Sequence, residues 1–133
     1  MKIVKGTPPN FDEIIKVFPM AASRGVIFAW GDTIYNPDGC VIQPPLLAHE
    51  GAHYQRQTND TPAIEAWWKQ YLVDAEFRHT EELIAHRAEY KAFCNHHTDR
   101  NHRGAMLDHI ARKMSSTLYG NLISLKDARG ALR

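Results

Sequence analysis

The chain has little cysteine: Cys40 and Cys94 are the only two in 133 residues, and they form no CxxC pair. That excludes a disulfide-rich scaffold, and two free thiols in a reducing compartment are the expectation. No apolar run approaches the roughly 20 residues of a membrane span. The opening MKIVKGTPPNF lacks the apolar stretch of about 7–15 residues found in a secretory signal. A soluble, intracellular protein follows as the expectation. Excess charge is missing too. A formal net charge of +1 makes no case for a nucleic-acid or membrane partner. Repeats, low-complexity segments and linkers are absent, so residues 1–133 read as one domain, long enough to close a hydrophobic core.

What is abundant is histidine, eight residues in all. The neutral imidazole is the commonest metal ligand and a frequent acid–base group. Two of the eight stand in the run LLAHEGAHYQRQ, as His49-Glu50-x-x-His53.

The chain around this run divides by texture. Residues 1–43 carry four of the seven prolines and several short β-type runs. GVIFAW (25–30) is the best strand, TIY (33–35) follows after Gly31-Asp32, NPDG (36–39) is a turn, and CVI (40–42) is a third short strand. FDEIIKVF (11–18) spaces its apolar residues as a short helix that Pro19 stops. From Pro44 onward the pattern is helical. One helix spans 44–57, and a second opens at Thr61-Pro62 as an N-cap and first-turn pair. A long third covers 75–95, 95–102 is a loop, and a fourth runs from Gly104 to Leu118. A short terminal helix lies near 122–132. The predicted class is α+β, with a small antiparallel β element near the N-terminus packed on a mainly helical body.

On a helix, residues four apart share a face, so His49 and His53 can present two ring nitrogens to one ion. Glu50 then projects beside the metal, where a general base for zinc-activated water belongs. With eight histidines and seven glutamates, chance would produce the pattern in roughly one such chain in forty. Its helical setting favours the metal reading over coincidence. The small residues Gly51 and Ala52 between the histidines suit close approach of another segment. A helical glycine costs about 1 kcal/mol against alanine and so needs some such reason.

A catalytic zinc takes three protein ligands and keeps one open position. In the third helix His79, Glu82, His86, Glu89 and Phe93 advance by 3, 4, 3 and 4 and form one face. A second, mostly apolar face holds Ile84, Ala85, Ala88 and Ala92. An exposed polar stripe is the bland account of the first face. A stripe made only of ligand-type groups, with no lysine, argues for the sharper one. Glu82 at its centre is the chosen third ligand, with His86 one turn on as a group that supports a ligand or meets the transition state. Glu89 and His79 stay open as ligands, and Glu81, about 100° round the helix, is less suited.

HEGAH followed by EELIAH resembles the gluzincin branch of zinc metallopeptidases, which carry HExxH on one helix and a glutamate ligand on a later one. Glu82-Leu83-Ile84-Ala85 matches the ExxA part of the family's downstream signature, and His86 replaces the aspartate that often follows. Small phage-encoded proteins share this layout, with virion association as a further implication. The resemblance implies a minimal zincin-like domain with Zn2+ on His49, His53 and Glu82. It implies a peptide or protein substrate, cleaved by zinc-activated water with Glu50 as general base, and a strand along the cleft that pairs with that substrate. An oxyanion donor is also implied, for which His86, His97, His102 and Tyr119 are candidates. Trp67 and Trp68, at helical spacing with Tyr71 and Leu72, read as core.

Two other readings compete. A carboxylate-bridged di-metal bundle suits the β-rich first third poorly. A non-enzymatic structural or interaction protein that kept a metallopeptidase-like fold has no use for Glu50.

Overall fold

The structure, a computed structural model, describes residues 1–116, 119–121 and 123–133. Leu118 and Leu122, assigned above to helix ends, lie outside the described residues. The elements in chain order are β1 (Lys2–Val4), α1 (Phe11–Val17), β2 (Phe28–Trp30), β3 (Thr33–Tyr35), α2 (Pro44–Gln57), α3 (Thr61–Val73), α4 (Ala75–His96), α5 (Arg100–Met114) and α6 (Leu125–Leu132). The protein is mainly helical, with a three-stranded sheet near the N-terminus. Among the described residues no helix is long and apolar enough to cross a membrane.

The sheet is mixed rather than antiparallel, in the order β1-β3-β2. β2 and β3 form the expected hairpin, with Trp30 opposite Thr33. Gly31 turns the corner at φ +57°, a left-handed conformation that glycine adopts at no steric cost. The third strand is not 40–42. It is Lys2–Val4, parallel to β3 with Ile3 opposite Ile34. The reason is local. Asn36 Nδ2 donates to Cys40 O at 2.7 Å, taking the carbonyl a strand would use, and Val41 is left 85% exposed.

The helices begin and end where side chains and prolines direct. α2 starts from an extended Gln43 with Pro44 and Pro45 in its first turn, where missing N–H groups cost nothing, and ends at Thr58 with φ 65°. The cap of α3 is Asp60, not Thr61: its carboxylate accepts from Ala63 N at 3.2 Å. Asp74 does the same for α4, accepting from Phe77 N at 3.1 Å. Asp99 caps α5, accepting from Asn101 N at 2.8 Å, and so starts that helix at Arg100, four residues before the expected Gly104.

Among the described residues two apolar clusters form the core. One gathers Ile14, Phe18 and Phe28 against Ile64, Trp67, Trp68 and Tyr71, which bears out the tryptophans as core. The other joins Leu107, Ile110 and Met114 to Ala128 and Leu132. α2 and α4 pack along each other more extensively than any other pair of elements. The face α4 turns inward is polar: Arg78, Glu81, Glu82, His86 and Glu89 are buried, with Ala85 the apolar member. α2 likewise buries His49, Glu50, His53 and Gln57. Burying ionisable groups is costly unless they pair with one another or hold an ion. The stripe of α4 is therefore an interior feature, not a solvated face.

Candidate metal centre

The i, i+4 spacing on α2 places the His49 and His53 rings 4.8 Å apart, centroid to centroid, with their Nε2 atoms separated by 3.2 Å. α4 brings Glu82 to the same point. Its Oε1 lies 3.1 Å from His53 Nε2, and its Oε2 3.3 Å from His49 Nε2. Donor atoms about 2.05 Å from a tetrahedral zinc are about 3.3–3.4 Å apart. The Nε2–Nε2 separation and the approach of each ring nitrogen to one Glu82 oxygen are each close to that length. The buried His49, His53 and Glu82 form a group that can hold a metal ion.

The bonds behind these atoms fix their orientation. His49 Nδ1 donates to Glu89 Oε1 at 3.0 Å, and His86 Nδ1 donates to the same oxygen at 2.9 Å. A carboxylate behind a ring's Nδ1 leaves its Nε2 turned to the metal. Glu89 thus orients both rings from behind. On the other side Tyr71 Oη donates to Glu82 Oε1 at 2.9 Å, and its ring stacks on Trp67 at 5.0 Å. Among the described residues, Glu82 Oε2 and His86 Nε2 are buried without a hydrogen-bond partner, 3.6 Å apart. Facing acceptors of this kind suit a bound cation.

Electrostatics follow from burial. Without metal, desolvation works against charge on His49, but hydrogen bonds to Glu82 and Glu89 outweigh it and push its pKa up to about 10. Burial, with the nearby His49 charge, lowers His86 to about 4. Glu82 is held well below the ordinary carboxylate range, since the charges and hydrogen bonds of His53 and His49 overcome its burial. Burial pushes the Glu50 carboxyl up, against the pull of His49 and His53, the direction a general base needs. Tyr71 and Tyr119 stay protonated, raised by burial and by Glu82.

Glu50 lines, with His49, His53 and Glu82, a narrow cavity of about 80 Å³. Its opposite walls are apolar and include Phe18, Val26 and Phe28. At about 30 Å³ per water this holds a few waters or one aliphatic side chain. Of the four oxyanion candidates, Tyr119 lines the cavity. His86 stands behind the ligands, and His97 and His102 border a separate surface hollow beside Phe93. His79 is half-buried and outside the ligand group. Glu81 is engaged elsewhere, accepting from Trp67 Nε1 at 3.0 Å and Arg56 Nε at 2.8 Å. A second Glu-x-x-His run, Glu76 to His79, has Glu76 exposed, so it builds no facing half-site for two metals.

The strand edge implied for substrate pairing is partly used from within. Ala29 O accepts from Trp68 Nε1 at 3.0 Å and Gln57 Nε2 at 3.2 Å, while Gly31 N donates to Gln57 Oε1 at 2.7 Å. Sequence reasoning did not anticipate the bridging by Glu89 or the bond from Tyr71. Glu89 stood on the right stripe, and that was the available signal. No protein-family model, curated protein or solved structure matches the chain.

Proposed function

We propose that the protein is a zinc-dependent hydrolase, a minimal peptidase of the gluzincin kind acting on a peptide or protein. The observation that carries this reading is the convergence of two ring nitrogens, 3.2 Å apart, on the Glu82 carboxylate at 3.1 and 3.3 Å, with a second buried carboxyl, Glu50, in the same cavity. A purely structural zinc closes its fourth position, mostly with cysteine, and has no use for Glu50.

Zinc held by His49, His53 and Glu82 would supply a Lewis acid that acidifies a water molecule and polarises a carbonyl. Glu50 takes the water's proton and passes it to the leaving amine; its burial raises its affinity for that proton. Tyr119, protonated and facing the cavity, is the donor for the developing oxyanion. Glu89 and Tyr71 hold His49 and Glu82 in register.

The test separates metal from chemistry. His49→Ala loses both zinc and hydrolysis, measured by metal analysis and a peptide-library digest. Glu50→Gln keeps zinc and loses hydrolysis by at least about a hundredfold, the scale of general-base catalysis. A Glu50→Gln protein that cleaves as fast as wild type would overturn the reading.

A further inference from the structure

Arg78, near the start of α4, is buried with 7% of its surface exposed. Burying a guanidinium is costly unless its donors and its charge are met. Arg78 makes no contact ion pair among the described residues, and Asp74, one turn back, accepts from Phe77 N. Its partners are carbonyls and rings. Nη1 donates to Tyr71 O at 2.7 Å, and Nε donates to Tyr119 O at 3.2 Å. The guanidinium carbon lies 4.7 Å from the centre of the Phe18 ring and 5.9 Å from that of Tyr71.

The chain around Arg78 is built to receive it. Tyr71 lies in the last turn of α3, where carbonyls lack helical partners and the helix end is negative. Gly120 has φ +84°, and a Cβ there would stand 3.4 Å from Phe18 Cε1 and 3.5 Å from Arg78 Nη2. The backbone that follows Tyr119 therefore lies against the guanidinium.

Phe18, Tyr71 and Tyr119 come from three separate parts of the chain, and all three line the metal cavity; Arg78 does not. Tyr71 also donates to Glu82 Oε1. The Tyr119 ring meets His86 edge-on at 5.6 Å, and among the described residues its phenol makes no hydrogen bond. Its place is thus set through its backbone. Tyr119 N donates to Ser116 O at 3.4 Å within the same loop, and the bond from Arg78 ties that loop to the helical body.

We propose that Arg78 is the positioning residue that seats the Tyr119 phenol in the metal cavity, fixing it against the α3 tyrosine that steadies Glu82. This rests on the reading of Tyr119 as oxyanion donor given above. Such donors act over a narrow range, and a displacement of about 1 Å can cost a hundredfold in rate. Lysine lacks the planar fork that meets two carbonyls at once.

Two readouts test this, the first without metal. In zinc-free protein carrying isotope-labelled tyrosine, the Tyr119 ring resonance is assigned by its loss in Tyr119→Phe. In Arg78→Lys it should move towards the position of exposed tyrosines, with circular dichroism unchanged. The second readout is hydrolysis by zinc-loaded protein. Arg78→Lys should lower kcat by about tenfold or more, with KM within about twofold and zinc retained. Tyr119→Phe should lower kcat by about a hundredfold, and the double variant no further, as for residues that act as a unit. Arg78→Gln, which can still donate to one carbonyl, takes the place of Arg78→Lys if the buried ammonium unfolds the chain. A folded Arg78 variant with the wild-type resonance and wild-type kcat overturns the proposal. So does a double variant whose losses multiply. Wild-type protein that binds zinc and hydrolyses no peptide overturns the hydrolase reading instead, and the ring resonance then still decides the seating.

Discussion

His49 is held by Glu89 through Nδ1 and faces Glu82 through Nε2. In the metal-free protein both nitrogens carry protons up to a pKa of about 10, against 6.5 for the ordinary group. The folded state then binds more protons than the unfolded chain between those values, so stability falls as pH rises from 6.5 towards 10. His86, lowered to about 4, acts oppositely: the unfolded chain binds the extra proton between 4 and 6.5, and stability falls as pH drops through that window. Glu50, Glu82 and Glu89 are the carboxylates facing this pair. A zinc ion on His49 Nε2 displaces the proton there and removes the alkaline loss. Urea melts between pH 6.5 and 10 with and without zinc should therefore diverge; parallel curves would contradict the ligand role of His49. Glu89→Ala, which frees the ring, should weaken zinc binding by roughly 10–100-fold in a chelator competition, with the fold retained by circular dichroism.

At the scale of elements, two glycines separate forced from unforced positions. A Cβ at Gly31 would stand 2.6 Å from Asn59 Oδ1 and 2.7 Å from Ile64 Cδ1, on a left-handed backbone. Gly31→Ala should therefore destabilise the hairpin by about 1 kcal/mol or more in chemical denaturation. Gly51 is different. The nearest atom to a Cβ there is Met1 Cε at 3.8 Å, so the close approach expected from its sequence setting is absent. Gly51→Ala should stabilise α2 by about 0.5–1 kcal/mol. The limits of α2 were legible because prolines act locally, and His49, Glu50 and His53 because one helical turn aligns them. Glu82 was legible as the centre of a stripe. The service of Glu89 to a ring on α2 was not, since it depends on how two helices register. Nor was β1, three residues whose partner lies some thirty positions on. The start of α5 was missed because NHHTDRNH is polar throughout, and only the Asp99 bond distinguishes cap from loop.

For the whole molecule, a buried layer of histidines and glutamates lies between two apolar clusters, on the paired faces of α2 and α4. An ion in that layer would neutralise carboxylates that are otherwise costly to bury, and would link binding to folding. The gluzincin resemblance, the Lewis-acid reading and the role of Glu50 all depend on it. The decisive measurement is zinc stoichiometry by elemental analysis after the chelator-stripped protein is reloaded and dialysed. One zinc per wild-type chain and none in His49→Ala is the result this account predicts. Wild-type protein that retains no metal, or His49→Ala that retains as much as wild type, would contradict it.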